Sequence, residues 1–191
     1  IHNPSWGEIT RQKAPPLTAD VKFLEASVKI REMEEKDLEA VSTICIDSFT
    51  KSVAGTLSLE GVSTFSEIAS SDSILKRMNE DNLIFVAECN GRIKGVIELK
   101  EGRHIAMLFV EPEYQKKGVG RKLLSSALSY ARVDTVTVSA SLSSVPVYEK
   151  YGFECKGDIS ESAGLVYQPM EIELNKALQT DKVSATRPLW R

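Results

Sequence analysis

Gln115-Lys116-Lys117-Gly118-Val119-Gly120-Arg121 stands between an apolar run, His104 to Val110, and a stretch from Gly118 to about Ala131 whose apolar residues recur at helical spacing. The spacing predicts a strand, a short loop over Glu111 to Lys117, and a helix. A glycine-rich turn at such a junction presents backbone N-H groups outward, and the helix start adds roughly half a unit of positive charge. Gly118 and Gly120 lack the Cβ atoms that would hold a diphosphate away from those amides. Lys116, Lys117 and Arg121 add charge, although the two lysines read equally as solvated loop residues whose backbone matters more than their ammonium groups. Neither of two common phosphate loops fits. No G-x-x-x-x-G-K-[ST] string occurs, and Leu123 stands where a dinucleotide fingerprint needs its third glycine.

Working outward, Val28 to Met33 reads as a strand and Asp37 to Phe49 as an amphipathic helix. Leu59 to Met78 reads as a helical stretch that Gly61 and the Ser70-Ser71 pair make broken or irregular. Leu83 to Glu88 and Arg92 to Leu99 are β-rich runs joined by Asn90-Gly91, the pair suited to a two-residue hairpin. Beyond the phosphate loop come a strand at Thr135 to Ser139, a short helix at Pro146 to Tyr151 stopped by Gly152, and a terminal strand at Leu165 to Leu174. Residues 1–27, with Pro4, Pro15 and Pro16, read as an arm, 28–176 as one domain and 177–191 as a tail. The order is mixed α/β without internal repeats.

Composition excludes several classes. The 191 residues are 42% hydrophobic and 27% charged, with a net charge of -3, so no broad basic surface for nucleic acid exists. Cys45, Cys89 and Cys155 are odd in number and show no C-x-x-C spacing, which argues against a disulfide framework and a structural zinc; no metal is expected. No stretch approaches the roughly 20 apolar residues of a membrane span, and Ile1-His2-Asn3-Pro4 lacks the features of a signal peptide. A cytoplasmic protein without membrane contact is expected, with a homodimer as one use of the first arm.

The loop, taken with its neighbours, resembles the GNAT superfamily of N-acetyltransferases. Gln115 to Gly120 meets the family signature [QR]-x-x-G-x-[GA] in full. His104 to Val110 followed by Glu111-Pro112-Glu113-Tyr114 is similar to its "LxVxPxYQxxGxG" passage, and Val145-Pro-Val-Tyr-Glu-Lys-Tyr-Gly-Phe153 to its "YEKxGF" passage. Pro169-Met-Glu-Ile-Glu-Leu174 matches the last strand of a bacterial subgroup. The resemblance covers about residues 28 to 175. It implies an α/β (α+β) fold with a mostly antiparallel mixed sheet of six to seven strands, about four helices and a splay between strands four and five. It also implies acetyl-CoA as co-substrate. The backbone of Leu108, Phe109 and Val110 would pair with the pantetheine arm, and the amides of Lys116 to Arg121 would hold the pyrophosphate. The Leu108 amide would polarise the thioester carbonyl. Where the family commonly has an Asn at the end of strand five, Ser139 or Ser141 stands instead, a weaker partner for pantetheine.

An acceptor amine with pKa near 10.4 is almost wholly protonated at neutral pH, and removing its proton costs about 4 to 5 kcal/mol. His104, eleven residues before Gln115, occupies the position where several family members carry a basic glutamate; a histidine satisfied within the sheet is the equal alternative. Glu98 and Glu101 are further candidates. Tyr148 occupies the family position of the acid that protonates the leaving thiolate, while Tyr151 reads as core. The expected activity is acyl transfer to a primary amine, small-molecule or peptide; the alternative is a catalytically idle acetyl-CoA-binding regulatory or assembly module. Glu60, Glu67 or Asp72 would favour polyamine or aminoglycoside cations if they lined the cleft, and are otherwise ordinary exposed charges.

Overall fold

The computed structural model describes residues 28–174. The arms at 1–27 and 177–191, and the dimer contact expected of the first, lie outside the described residues. The strands are β1 (Val28–Glu32), β2 (Asn82–Cys89), β3 (Arg92–Lys100), β4 (His104–Val110), β5 (Thr135–Ser141), β6 (Glu154–Cys155), β7 (Ser160–Ser162) and β8 (Leu165–Glu173). The helices are α1 (Leu38–Ser52), α2 (Leu59–Ile68), α3 (Ser71–Met78), α4 (Val119–Leu128) and α5 (Val145–Lys150). The sheet runs β1-β2-β3-β4-β5-β8-β6, and β7 pairs with β8.

Among the described residues eight strands stand beside the expected six to seven, because β6 and β7 are too short to carry a period. Five helices replace about four because the Leu59 to Met78 stretch divides. Ser58 caps α2 by accepting from the Gly61 amide, and Ser70 caps α3 by accepting from the Ser73 amide. The Asn90-Gly91 hairpin forms as predicted, with φ of 51° and 72°.

Among the described residues every strand pair is antiparallel except β4 with β5, whose contact spans only His104 with Thr137 and Ile105 with Val138. Beyond that short root the strands diverge, which is the expected splay. A bulge sharpens the geometry of β4. Glu98 pairs with Met107 and Leu99 with Ile105, leaving Ala106 as the extra residue. Ile105 and Val110 therefore enter the core under α4, with Leu108 packed on it, while Met107 enters the core under α1 to α3, with Phe109 packed on it. By alternation His104 lies on the α1–α3 face of the sheet.

Candidate functional site

The loop before α4 owes its shape to two left-handed residues, Lys116 at φ 58° and Gly118 at φ 82°. Gly118 is the N-cap of α4, and a Cβ built there would meet nothing within 4 Å, so the space in front of the helix start is open. No acidic residue lies in the first turn of α4, and the positive end of the helix is left unneutralised. Gly120 also meets a packing demand. A Cβ there would sit 2.8 Å from the Tyr151 hydroxyl, so this glycine makes room for a tyrosine that sequence reasoning had placed in the core.

The loop is braced from behind. Gln115 Nε2 donates to the Val110 carbonyl at 3.0 Å, locking the end of β4. Lys94 pairs with Glu111 at 2.6 Å and, with Lys117, lies over the ring of Tyr114 at 5.0 and 5.6 Å. These contacts tie the loop to the end of β4 and to β3.

In the splay, Leu108 is half-buried toward the α4 side and Phe109 toward the α1–α3 side. One edge of this segment is paired to β3, Leu108 lying opposite Ile97, and the other edge faces the gap. Across the gap Ser139 is exposed, whereas the Ser141 hydroxyl is 2.8 Å from that of Ser144 and 3.3 Å from that of Ser143. Ser143 in turn donates to the Ser52 carbonyl at 3.3 Å, joining the end of β5 to the end of α1.

Tyr148 is buried on α5 and meets Phe153 edge-on, with centroids 5.3 Å apart. Burial, with Tyr151 adding to it, pushes its phenol well above the ordinary value, so it stays protonated at neutral pH. His104 Nδ1 lies 2.8 Å from Thr137 Oγ1. Burial, then Lys100 and Arg103, lowers its pKa below 6.5, and the imidazole is neutral in the neutral range. His104 sits at the paired root of β4 and β5, four positions before Leu108, or roughly 13 Å by strand rise. The fold thus puts the histidine on the groove side but does not bring it against the Leu108 amide. Glu98 is fully buried and held by Arg77, and Glu101 sits in a turn at φ 51°, bound to Arg103. Both alternative bases are engaged. Among the described residues no cluster of three or more His, Cys, Asp or Glu could hold a metal, and no helix is long and apolar enough to cross a membrane.

Three comparisons bear on this geometry. The sequence model of the acetyltransferase (GNAT) domain matches residues 53–174. The chain is 28% identical over 151 residues to an uncharacterized N-acetyltransferase, YafP, of Escherichia coli, covering 75% of this chain and 97% of the relative. It is 27% identical over 146 residues to spermidine N(1)-acetyltransferase of the same organism, covering 70% of this chain and 76% of the relative. Among solved structures, the PaiA N-acetyltransferase of Thermoplasma acidophilum in complex with coenzyme A is similar with a TM-score of 0.64 and 25% identity, covering 77% of this chain and 99% of that one. The Gcn5-related N-acetyltransferase of Rhodopseudomonas palustris shares the fold with a TM-score of 0.68 and 23% identity, covering 78% of this chain and 96% of that one. With the family's domain model matching more than half of the chain and the sheet splayed between β4 and β5, the chain belongs to the GNAT family and is an acetyltransferase.

Proposed function

We propose that this enzyme transfers the acetyl group of acetyl-CoA to a primary amine by direct attack, with both substrates bound at once. The observation that carries the reading is the splay of β4 from β5 beside the open helix start at Gly118, which offers a strand-shaped slot ending in bare amides. The coenzyme A bound by a solved relative and the spermidine named for a curated one support it. The residues fit the co-substrate: amides of Lys116 to Arg121 for the pyrophosphate, main chain of Leu108 to Val110 for the pantetheine, and Ser139 or Ser141 across the gap. Acetyl-CoA supplies an activated thioester carbonyl.

Each residue then has a stated task. The Leu108 amide donates to the carbonyl oxygen as charge gathers there. The amine nitrogen bonds to the carbonyl carbon, the carbon–sulfur bond breaks, and Tyr148 gives its proton to the leaving sulfur. His104 takes the amine's excess proton through water, since its distance from Leu108 leaves no direct contact. Fixing the two substrates together supplies roughly 7 to 11 kcal/mol, so His104 contributes the smaller share. The test is thiol release from acetyl-CoA across panels of amines, comparing the wild type with Tyr148→Phe. Amine-dependent release weakened in the variant supports the reading; tight acetyl-CoA binding without release across the panels replaces it with a regulatory or assembly module.

A further inference from the structure

We propose that the Tyr151 hydroxyl binds the pyrophosphate of acetyl-CoA, donating to it beside the amides of the phosphate loop; this rests on the acetyl-CoA reading above. Tyr151 fills the open position of the "YEKxGF" passage, where the family pattern calls for no phenol. The structure brings that phenol to the phosphate loop. A Cβ on Gly120 would meet the Tyr151 oxygen at 2.8 Å but its Cζ only at 3.9 Å, so the ring approaches the loop oxygen first. Gly120 stands in the first turn of α4, and the Cα–Cβ bonds of a helix tilt toward its N-terminus. The hydroxyl that meets this Cβ direction therefore lies toward the helix start, the end that carries the unpaired amides and the positive charge of the helix.

A packing role alone does not account for a hydroxyl in this place. The ring is half-buried against the core under α4, yet among the described residues its oxygen has no hydrogen-bond partner. A phenyl ring would fill the same space, whereas a phenol adds a donor that water or a ligand has to satisfy. The position of the ring is set by the chain behind it. The Tyr151 N-H donates to the Tyr148 carbonyl at 2.9 Å, the Phe153 N-H donates to the same carbonyl at 3.1 Å, and Gly152 between them turns the chain at φ 95°. Helix α4 follows β4 and α5 follows β5, so the tyrosine reaches from the β5 side of the splay to the β4 side.

The chemistry of the group suits an anion. Burial raises the Tyr151 phenol, with Arg121 drawing it back, and it stays protonated in the neutral range. It then meets a phosphate oxygen as a donor, in a hydrogen bond roughly twice as strong as one between neutral groups.

The test is titration calorimetry on the full chain, wild type against Tyr151→Phe, with coenzyme A, dephospho-coenzyme A, which lacks the 3′-phosphate, and pantetheine, which lacks every phosphate. The variant keeps the ring and loses no protein partner, so the thermal midpoint of the free protein is expected to hold. The dissociation constants of coenzyme A and dephospho-coenzyme A are expected to rise by about tenfold or more, and that of pantetheine to stay within about twofold. Equal coenzyme A affinity in the two proteins would overturn the inference and leave the transferase standing. So would a loss shared in full by pantetheine, which makes the hydroxyl a support of the arm or of the core, or a loss absent with dephospho-coenzyme A, which moves it to the ribose phosphate. Coenzyme A that fails to bind the wild type would overturn both.

Discussion

Replacing Arg77 by Met should destabilise the fold by about 3 to 5 kcal/mol near neutral pH, because it strips the partner from a carboxylate that has no exposure of its own. Arg77 Nε lies 2.9 and 3.1 Å from the two Glu98 oxygens. Its Nη1 donates to the carbonyls of Ile68 at 2.9 Å and Ser73 at 3.2 Å, so the same side chain ties the end of α2 to α3 and the sheet. The loss is a large part of the roughly 5 to 15 kcal/mol that holds a domain together. Burial already pushes the Glu98 carboxyl up, with Arg77 pulling it back by charge and hydrogen bond. A raised folded pKa means stability that is complete below the unfolded value and lost as pH rises through the folded one. Without Arg77 the folded pKa climbs further, and the window of loss extends upward. Urea unfolding followed by circular dichroism at about pH 5 and about pH 8 should therefore show the variant closer to wild type at the lower pH. Joint replacement of Arg77 and Glu98 by Met should recover much of the loss. A deficit under about 1 kcal/mol at the higher pH, or one equal at both, would refute the reasoning.

Three further outcomes follow from the site. Tyr148→Phe should lower kcat by about 100-fold or more with the KM for acetyl-CoA nearly unchanged; steady-state kinetics showing the loss mainly in KM would make the tyrosine a packing residue. The acid limb of kcat/KM should fall below about 6.5, since burial lowers His104, and should vanish in His104→Gln; a limb that persists in the variant belongs to another group. Gly118→Ala meets no neighbour but must hold φ at 82°, so it should cost about 1 to 2 kcal/mol in thermal unfolding and weaken acetyl-CoA binding about tenfold, measured by calorimetry; unchanged affinity would separate the loop amides from the cofactor.

Local chemistry made much of this legible from sequence. The hairpin at Asn90-Gly91 and the loop at Gln115 to Gly120 each depend on residues adjacent in the chain, and both form where the residues indicated. The Ser70-Ser71 pair marked the break in Leu59 to Met78, but not that it divides two capped helices, because a cap declares itself only through the amide it accepts from. Strands β6 and β7 carried no signal at all: two or three residues hold no period, and β7 exists because β8 offers it an edge. Partners set by sheet register were equally hidden. Thr137 is 33 positions from His104, and Lys94 reaches Glu111 only because β3 and β4 align. The approach of Tyr151 to Gly120 is purely tertiary and was hidden in the same way.

The short root of the splay divides the sheet into two hydrogen-bonded blocks. β1 to β4 form one antiparallel block in chain order, and β5, β8, β6 and β7 form a second with crossed order, joined in the sheet among the described residues only through His104 with Thr137 and Ile105 with Val138. Helix α4, the crossover between them, packs on β1 to β4, and its Leu123, Leu124 and Ala127 share one buried apolar cluster with Val136, Val138 and Met170 of the second block. Native-state amide exchange should resolve these blocks as separate cooperative units, with the boundary running along the gap between Val110 and Ser141. A ligand strand laid into that gap would fuse them, so protection gained across both blocks would report occupancy of the slot more directly than any local probe.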